Sequence, residues 1–139
     1  MNQANFYFEL KDIDTVAQQI IDKVNSKTLL FYGEMGSGKT TLISALLKVL
    51  KSEDLASSPT FSIVNEYQTH TDTIYHFDFY RVETIAETQD FGVEEYLTSG
   101  HWLFIEWPQL IEPLLENDAN KISLTINEDG TRKLTLETT

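Results

Sequence analysis

Residues Gly33-Glu34-Met35-Gly36-Ser37-Gly38-Lys39-Thr40 match the pattern G-x-x-x-x-G-K-[ST] at every fixed position. Phosphate chemistry sets a task for each fixed residue. Glycine at 33 and 38 lets the backbone take conformations closed to side-chain residues and come close to a ligand. The N–H groups of such a loop point inward and form an anion cradle. The start of the following helix, with Thr41 in its first turn, adds the positive end of its dipole. Lys39 can reach outer phosphates, and the Thr40 hydroxyl can ligate magnesium. A glycine-rich turn that happens to contain Lys and Thr is the bland alternative.

Phosphoryl transfer also needs groups that hold the metal and orient the attacking oxygen. Two acids compete. Glu106 follows the apolar run Trp102-Leu-Phe-Ile105 directly, and ligands gather at the carboxyl ends of strands in a parallel sheet. Asp78 lies inside Ile74-Tyr-His-Phe-Asp-Phe-Tyr80, where an acid is costly to bury without a partner. The bland readings are an exposed helix-start acid for Glu106 and a structural partner of Arg81 for Asp78. Thr60, in Ser58-Pro-Thr-Phe61, offers a hydroxyl of the kind that senses a terminal phosphate, or simply enters a strand. Arg81 is either a cis arginine or a salt-bridge residue. Trp107 adjoins Glu106 and is placed to lie near a nucleotide. His70, His76 and His101 lack metal-ligand spacing; His76 is expected to pack or hydrogen-bond within its strand, and Trp102 to sit in the core.

The elements that must position these residues can be read from periodicity. Residues 27–32 form a short apolar run of strand type, and residues 39–51 carry Leu42, Ala45, Leu46, Val49 and Leu50 at helical spacing. The loop therefore sits between a strand and a helix, the context its motif requires. A first strand is expected over 6–10, then a helix over roughly 13–25 capped by Asp12 or Asp14. Thr60–Gln68 and Thr73–Tyr80 read as adjacent strands joined by a turn at 69–72. Residues 82–99 suggest short helices broken at Gly92. His101–Ile105 reads as a buried strand, and Pro108 as the start of a short helix towards Leu115. Lys121–Asn127 and Thr131–Glu137 alternate around Asp129-Gly130, a hairpin signal. The expected fold is a single-domain α/β three-layer sandwich over residues 1–139. Its sheet is mixed, parallel around the loop and antiparallel towards the C-terminus.

Bulk properties narrow the function. A chain of 139 residues can bury a core without staples, and the absence of cysteine removes disulfides, thiolate zinc sites and a cysteine nucleophile. The N-terminus lacks a basic stretch followed by an apolar core, and no apolar run is long enough to span a bilayer, so a cytoplasmic protein is expected. Ten basic against 22 acidic residues give a charge of −12, which argues against a broad nucleic-acid face. A guanine-reading N/T-K-x-D motif is absent, and Asn120-Lys121 is followed by Ile-Ser. Only two arginines, Arg81 and Arg132, are few for the acceptor site and lid of a small-molecule kinase.

On GEMGSGKTT at 33–41, SPTFSIVNEY at 58–67, HFDFYR at 76–81, GVEEYL at 92–97 and IEWP at 105–108, the chain resembles the TsaE (YjeE) family, small ATPases of bacterial tRNA threonylcarbamoyladenosine synthesis. The resemblance implies a mixed-sheet P-loop fold and magnesium-dependent ATP hydrolysis, slow alone and dependent on partners. It implies assembly with TsaB and TsaD, with tRNA met only indirectly through the complex and no membrane involved. It implies that Thr40 and Glu106 hold magnesium, that Asp78 and Thr60 lie near the phosphates with Lys39 among the catalytic residues, and that Arg132 and Thr15 contact the ATP or ADP. The competing readings are a nucleotide-dependent assembly adaptor and a small-molecule P-loop kinase.

Overall fold

The structure is a computed structural model and describes residues 2–34, 36–54, 64–90, 92–115 and 118–138. In chain order the elements are β1 (Asn2–Phe8), α1 (Ile13–Lys23), β2 (Thr28–Tyr32), α2 (Lys39–Val49), β3 (Val64–Gln68), β4 (Thr73–Asp78), α3 (Ile85–Asp90), α4 (Val93–Leu97), β5 (Trp102–Glu106), β6 (Asn120–Ile126) and β7 (Arg132–Thr138). The strands form one sheet in the order β1-β7-β6-β2-β5-β4-β3. β2 pairs parallel with both β5 and β6, and β4 pairs parallel with β5. β7 runs antiparallel to β6 and to β1, so the C-terminal end is antiparallel as expected. The opposite edge adds an antiparallel strand, β3 on β4, joined by the 69–72 turn.

Strand alternation divides the core between the two faces of the sheet. Leu29 and Phe31 point with Phe104, Ile122 and Leu134 towards α1 and α2, whereas Leu30 points with Phe77 and Ile105 towards α4 and the segment after β5. α1 buries Val16, Ala17 and Ile20 on one stripe. α2 buries Ile43 and Leu47 besides the expected Leu42, Ala45 and Leu46, because it is covered by α1 as well as by the sheet. Val49 and Leu50 pack at the margin of that core, as does Trp102.

Several boundaries differ from expectation for physical reasons. β1 covers Asn2–Phe8 rather than 6–10: its polar start carries no strand signal of its own and is held by seven register pairs with β7. Asp12 stands at the N-cap of α1 but its side chain makes no capping bond, and Asp14 instead pairs with Lys48 at 2.9 Å. The expected helix from Pro108 is two 3-10 turns, Pro108–Leu110 and Glu112–Leu114, because Pro113 lacks the N–H a continuing helix needs. β4 ends on Asp78, so Phe79 and Tyr80 belong to the turn beyond it. α2 stops on a Schellman closure. Lys51 adopts a left-handed φ of 66°, its N–H bonds Lys48 O at 3.1 Å, and Ser52 N–H bonds Leu47 O at 2.9 Å. Asn120 is buried. Its amide donates to Ser26 O and Thr28 O, both at 3.1 Å, which ties the turn before β2 to β6.

Candidate functional site

The shared direction of β2, β4, β5 and β6 brings their carboxyl ends to one edge of the sheet. The Gly33–Thr40 loop leaves β2 at that edge and enters α2. Ser37 N–H bonds Glu34 O at 3.1 Å, and Leu42 N–H bonds Gly38 O at 3.0 Å to open the helix. Two glycines are sterically required. A Cβ on Gly33 would lie 2.6 Å from Ser37 Oγ and 2.8 Å from Leu124 O. At Gly38, φ is +97° and a Cβ would lie 2.3 Å from Arg132 Nη1. Arg132, on the hairpin strand β7, is thus pressed against the loop.

Among the described residues, three polar atoms here are buried without a hydrogen-bond partner: Ser37 Oγ, Arg132 Nε and Arg132 Nη1. Such orphans are rare in folded proteins and call for an explanation. Ser37 lies in the loop and Arg132 against it, and a multi-oxygen anion is the ligand class that fits guanidinium and hydroxyl donors at the start of a helix.

Lys39 is 6% exposed. Its ammonium donates to Gly33 O at 2.6 Å and lies 4.1 Å from the centre of the Trp107 ring. An ammonium has three donors, so this bond leaves others for a phosphate. Burial pushes the Lys39 ammonium below the usual lysine value, while Glu106 and Asp78 pull it back up. Trp107 itself holds a left-handed φ of 54°, a strained choice for a bulky residue, and its ring rests on Tyr80 with centroids 4.9 Å apart.

The two acids face each other in register, Asp78 on β4 opposite Glu106 on β5. Glu106 is 3% exposed, not an exposed helix-start acid. Burial pushes the Asp78 carboxyl above the usual value, and nearby Glu106 adds to this; the Tyr80 N–H, donating at 2.9 Å, and His76 and Lys39 oppose it. Asp78 is therefore bonded to its own turn, and Arg81 is exposed. His76, expected to pack or hydrogen-bond within its strand, is fully buried, but its bonds leave the strand: Nε2 reaches Glu106 Oε2 on β5 at 2.7 Å and Nδ1 the Tyr67 hydroxyl on β3 at 3.0 Å. Among the described residues no three His, Cys, Asp or Glu side chains form a metal cluster.

Of the predicted residues, the fold gathers Gly33, Ser37, Gly38, Lys39, Asp78, Glu106, Trp107 and Arg132. Thr40 and the exposed Thr41 lie in the first turn of α2, and Glu34 and Gly36 are exposed in the loop. Thr15 stands apart. It is exposed on α1, next to Asp14, whose partner Lys48 lies in the last turn of α2, away from the loop. Met35 and Thr60 lie outside the described residues. The sequence reading missed the roles of His76 and Tyr67. The signal was present in the alternation of β4, which puts His76 and Asp78 on one face.

A model of the family described as threonylcarbamoyl adenosine biosynthesis protein TsaE matches residues 8–134. The tRNA threonylcarbamoyladenosine biosynthesis protein TsaE of Bacillus subtilis is 34% identical over 107 residues, covering 77% of this chain and 66% of that protein. The Haemophilus influenzae protein of the same name is 32% identical over 116 residues, covering 82% of this chain and 73% of its own. The Rickettsia felis protein is 33% identical over 105 residues, and the match covers 75% of this chain but 61% of that relative. The crystal structure of YdiB from Bacillus subtilis superposes with a TM-score of 0.75 at 23% identity, over 97% of this chain and 84% of that one, which supports the fold.

Proposed function

Since this chain belongs to the TsaE family of tRNA threonylcarbamoyladenosine biosynthesis proteins, we propose that it binds ATP with magnesium in the Gly33–Thr40 loop and hydrolyses it in service of that modification. The observation that carries the reading is the set of unpaired donors, Ser37 Oγ with Arg132 Nε and Nη1, packed around a loop that also holds a buried lysine. Lys39 and Arg132 hold the β- and γ-phosphate oxygens. Thr40 and Glu106 hold magnesium. Magnesium, when bound, supplies neutralisation of charge on the phosphate oxygens. Asp78, with its carboxyl pushed upward by burial, orients the attacking water and takes its proton. The water oxygen bonds to the γ-phosphorus, the bond to the β–γ bridging oxygen breaks, and ADP and phosphate leave. Trp107 shields the phosphate end.

The partners in this proposal are TsaB and TsaD. A chain of charge −12 with two arginines is poorly suited to hold tRNA alone, so tRNA contact comes through the complex. Phosphate release measured with and without TsaB and TsaD tests this. Hydrolysis that rises with the partners is expected. ATP-dependent assembly with no hydrolysis in either case would overturn the ATPase reading in favour of an adaptor. Phosphate transferred to a small acceptor would mark a kinase.

A further inference from the structure

We infer that His76 is a positioning residue for Glu106, and that Tyr67, His76 and Glu106 form a relay presenting one carboxylate oxygen to the metal; this rests on the metal role proposed for Glu106. The relay crosses three strands. Tyr67 on β3 and Glu106 on β5 are diagonal neighbours of His76 on β4, as the pairings Tyr67–Ile74 and His76–Phe104 require. All three side chains are buried, at 4%, 0% and 3% exposure.

Hydrogen-bond chemistry sets the direction. A carboxylate that holds a metal is ionised and only accepts, so in that state His76 Nε2 donates to Oε2, 2.7 Å away. On its other side, His76 Nδ1 is hydrogen-bonded to the Tyr67 hydroxyl at 3.0 Å. Asn65, directly opposite His76 in the register, donates its amide to the Tyr67 oxygen at 3.4 Å. The three side chains are thus linked by hydrogen bonds from β3 through β4 to Glu106 on β5. Its effect is to occupy Oε2 and fix the carboxylate plane. Partners of this kind behind a metal ligand orient it and tune its affinity. Nothing in the loop motif demands a histidine here.

The test is divalent-metal affinity with ADP bound, read by Mn2+ electron spin resonance and by the magnesium dependence of Trp107 fluorescence. His76→Leu is expected to raise the metal dissociation constant about 10- to 100-fold. Tyr67→Phe, which keeps the ring, is expected to raise it about 2- to 10-fold. His76→Gln, whose amide can still donate to the carboxylate, should fall between wild type and His76→Leu. Nucleotide affinity in EDTA should be unchanged in all three. If His76→Leu and Tyr67→Phe melt at lower temperature but bind metal as wild type does, His76 is only a core residue and the inference fails. Should His76→Leu not fold, wild-type metal affinity in Tyr67→Phe is sufficient to overturn it. Glu106→Ala separates the two levels. If it too leaves metal affinity unchanged, the metal reading of Glu106 itself is wrong; if it weakens metal while the relay variants do not, only the relay is.

Discussion

Replacing Arg132 with methionine should make the nucleotide-free protein more stable and a poorer binder of ATP. Nε and Nη1 of Arg132 are buried with no partner among the described residues. A buried donor left unpaired costs about 1–3 kcal/mol, so two of them are a substantial debit in a domain of this size. Methionine keeps an apolar stem of similar reach while removing both donors beside Gly38. Allowing for lost packing, a net gain of about 1–3 kcal/mol is expected, and at about 4 °C per kcal/mol the apo melting temperature should rise by roughly 4–12 °C. With ATP present the sign reverses. Charge-assisted bonds to phosphate contribute about 1.5–3 kcal/mol, so affinity should fall about 10- to 100-fold. Differential scanning calorimetry of the apo protein and fluorescence titration with ATP measure the two halves. A lower apo melting temperature together with unchanged ATP affinity would show that Arg132 is a structural residue and refute the reasoning.

Asp78→Asn should raise apo stability near neutral pH. Because burial raises the native carboxyl above its unfolded value, the unfolded chain releases its proton first and stability falls as pH climbs between the two values. Melting curves of both proteins across that range should diverge as pH rises, and the variant should lose phosphate release more than ADP binding. Asp72 behaves oppositely. Burial pushes it up, but the bonds from Lys27 and His101 and the Thr73 N–H outweigh that and hold it at about 2 against an ordinary 3.8. Asp72→Ala should therefore be less stable above about pH 4, with the gap closing as pH falls towards 2, as acid titration followed by circular dichroism will show. Lys51→Gly should stabilise the end of α2 by up to about 1 kcal/mol, since glycine takes the left-handed conformation without a Cβ clash; urea denaturation measures it.

What was legible in the sequence was local. The loop could be read because each of its fixed residues answers a backbone or charge requirement within eight positions. Glu106 could be placed at a strand end because the apolar run stops on it, and the C-terminal hairpin because Asp129-Gly130 supplies its turn. What escaped depends on register between distant segments. The contact of Arg132 with Gly38 crosses 94 of the 139 positions and arises because β7 lies beside β6, which in turn pairs with β2. The bond from His76 to Glu106 crosses 30 positions and needs the exact pairing of β4 with β5. The end of β4 was misread because Phe79 and Tyr80 continue its apolar character while the backbone has already turned, with Asp78 accepting the Tyr80 N–H. Phe79 is buried as in a strand, so its residue type carried no warning.

Isothermal titration of the purified chain with ATP in magnesium, comparing wild type with Lys39→Ala, tests the central claim most directly. The account predicts saturable single-site binding in the wild type and its loss, by at least about tenfold in affinity, in the variant that keeps the fold but lacks the ammonium at the loop. Absence of binding in the wild type, or equal binding by Lys39→Ala, would contradict it.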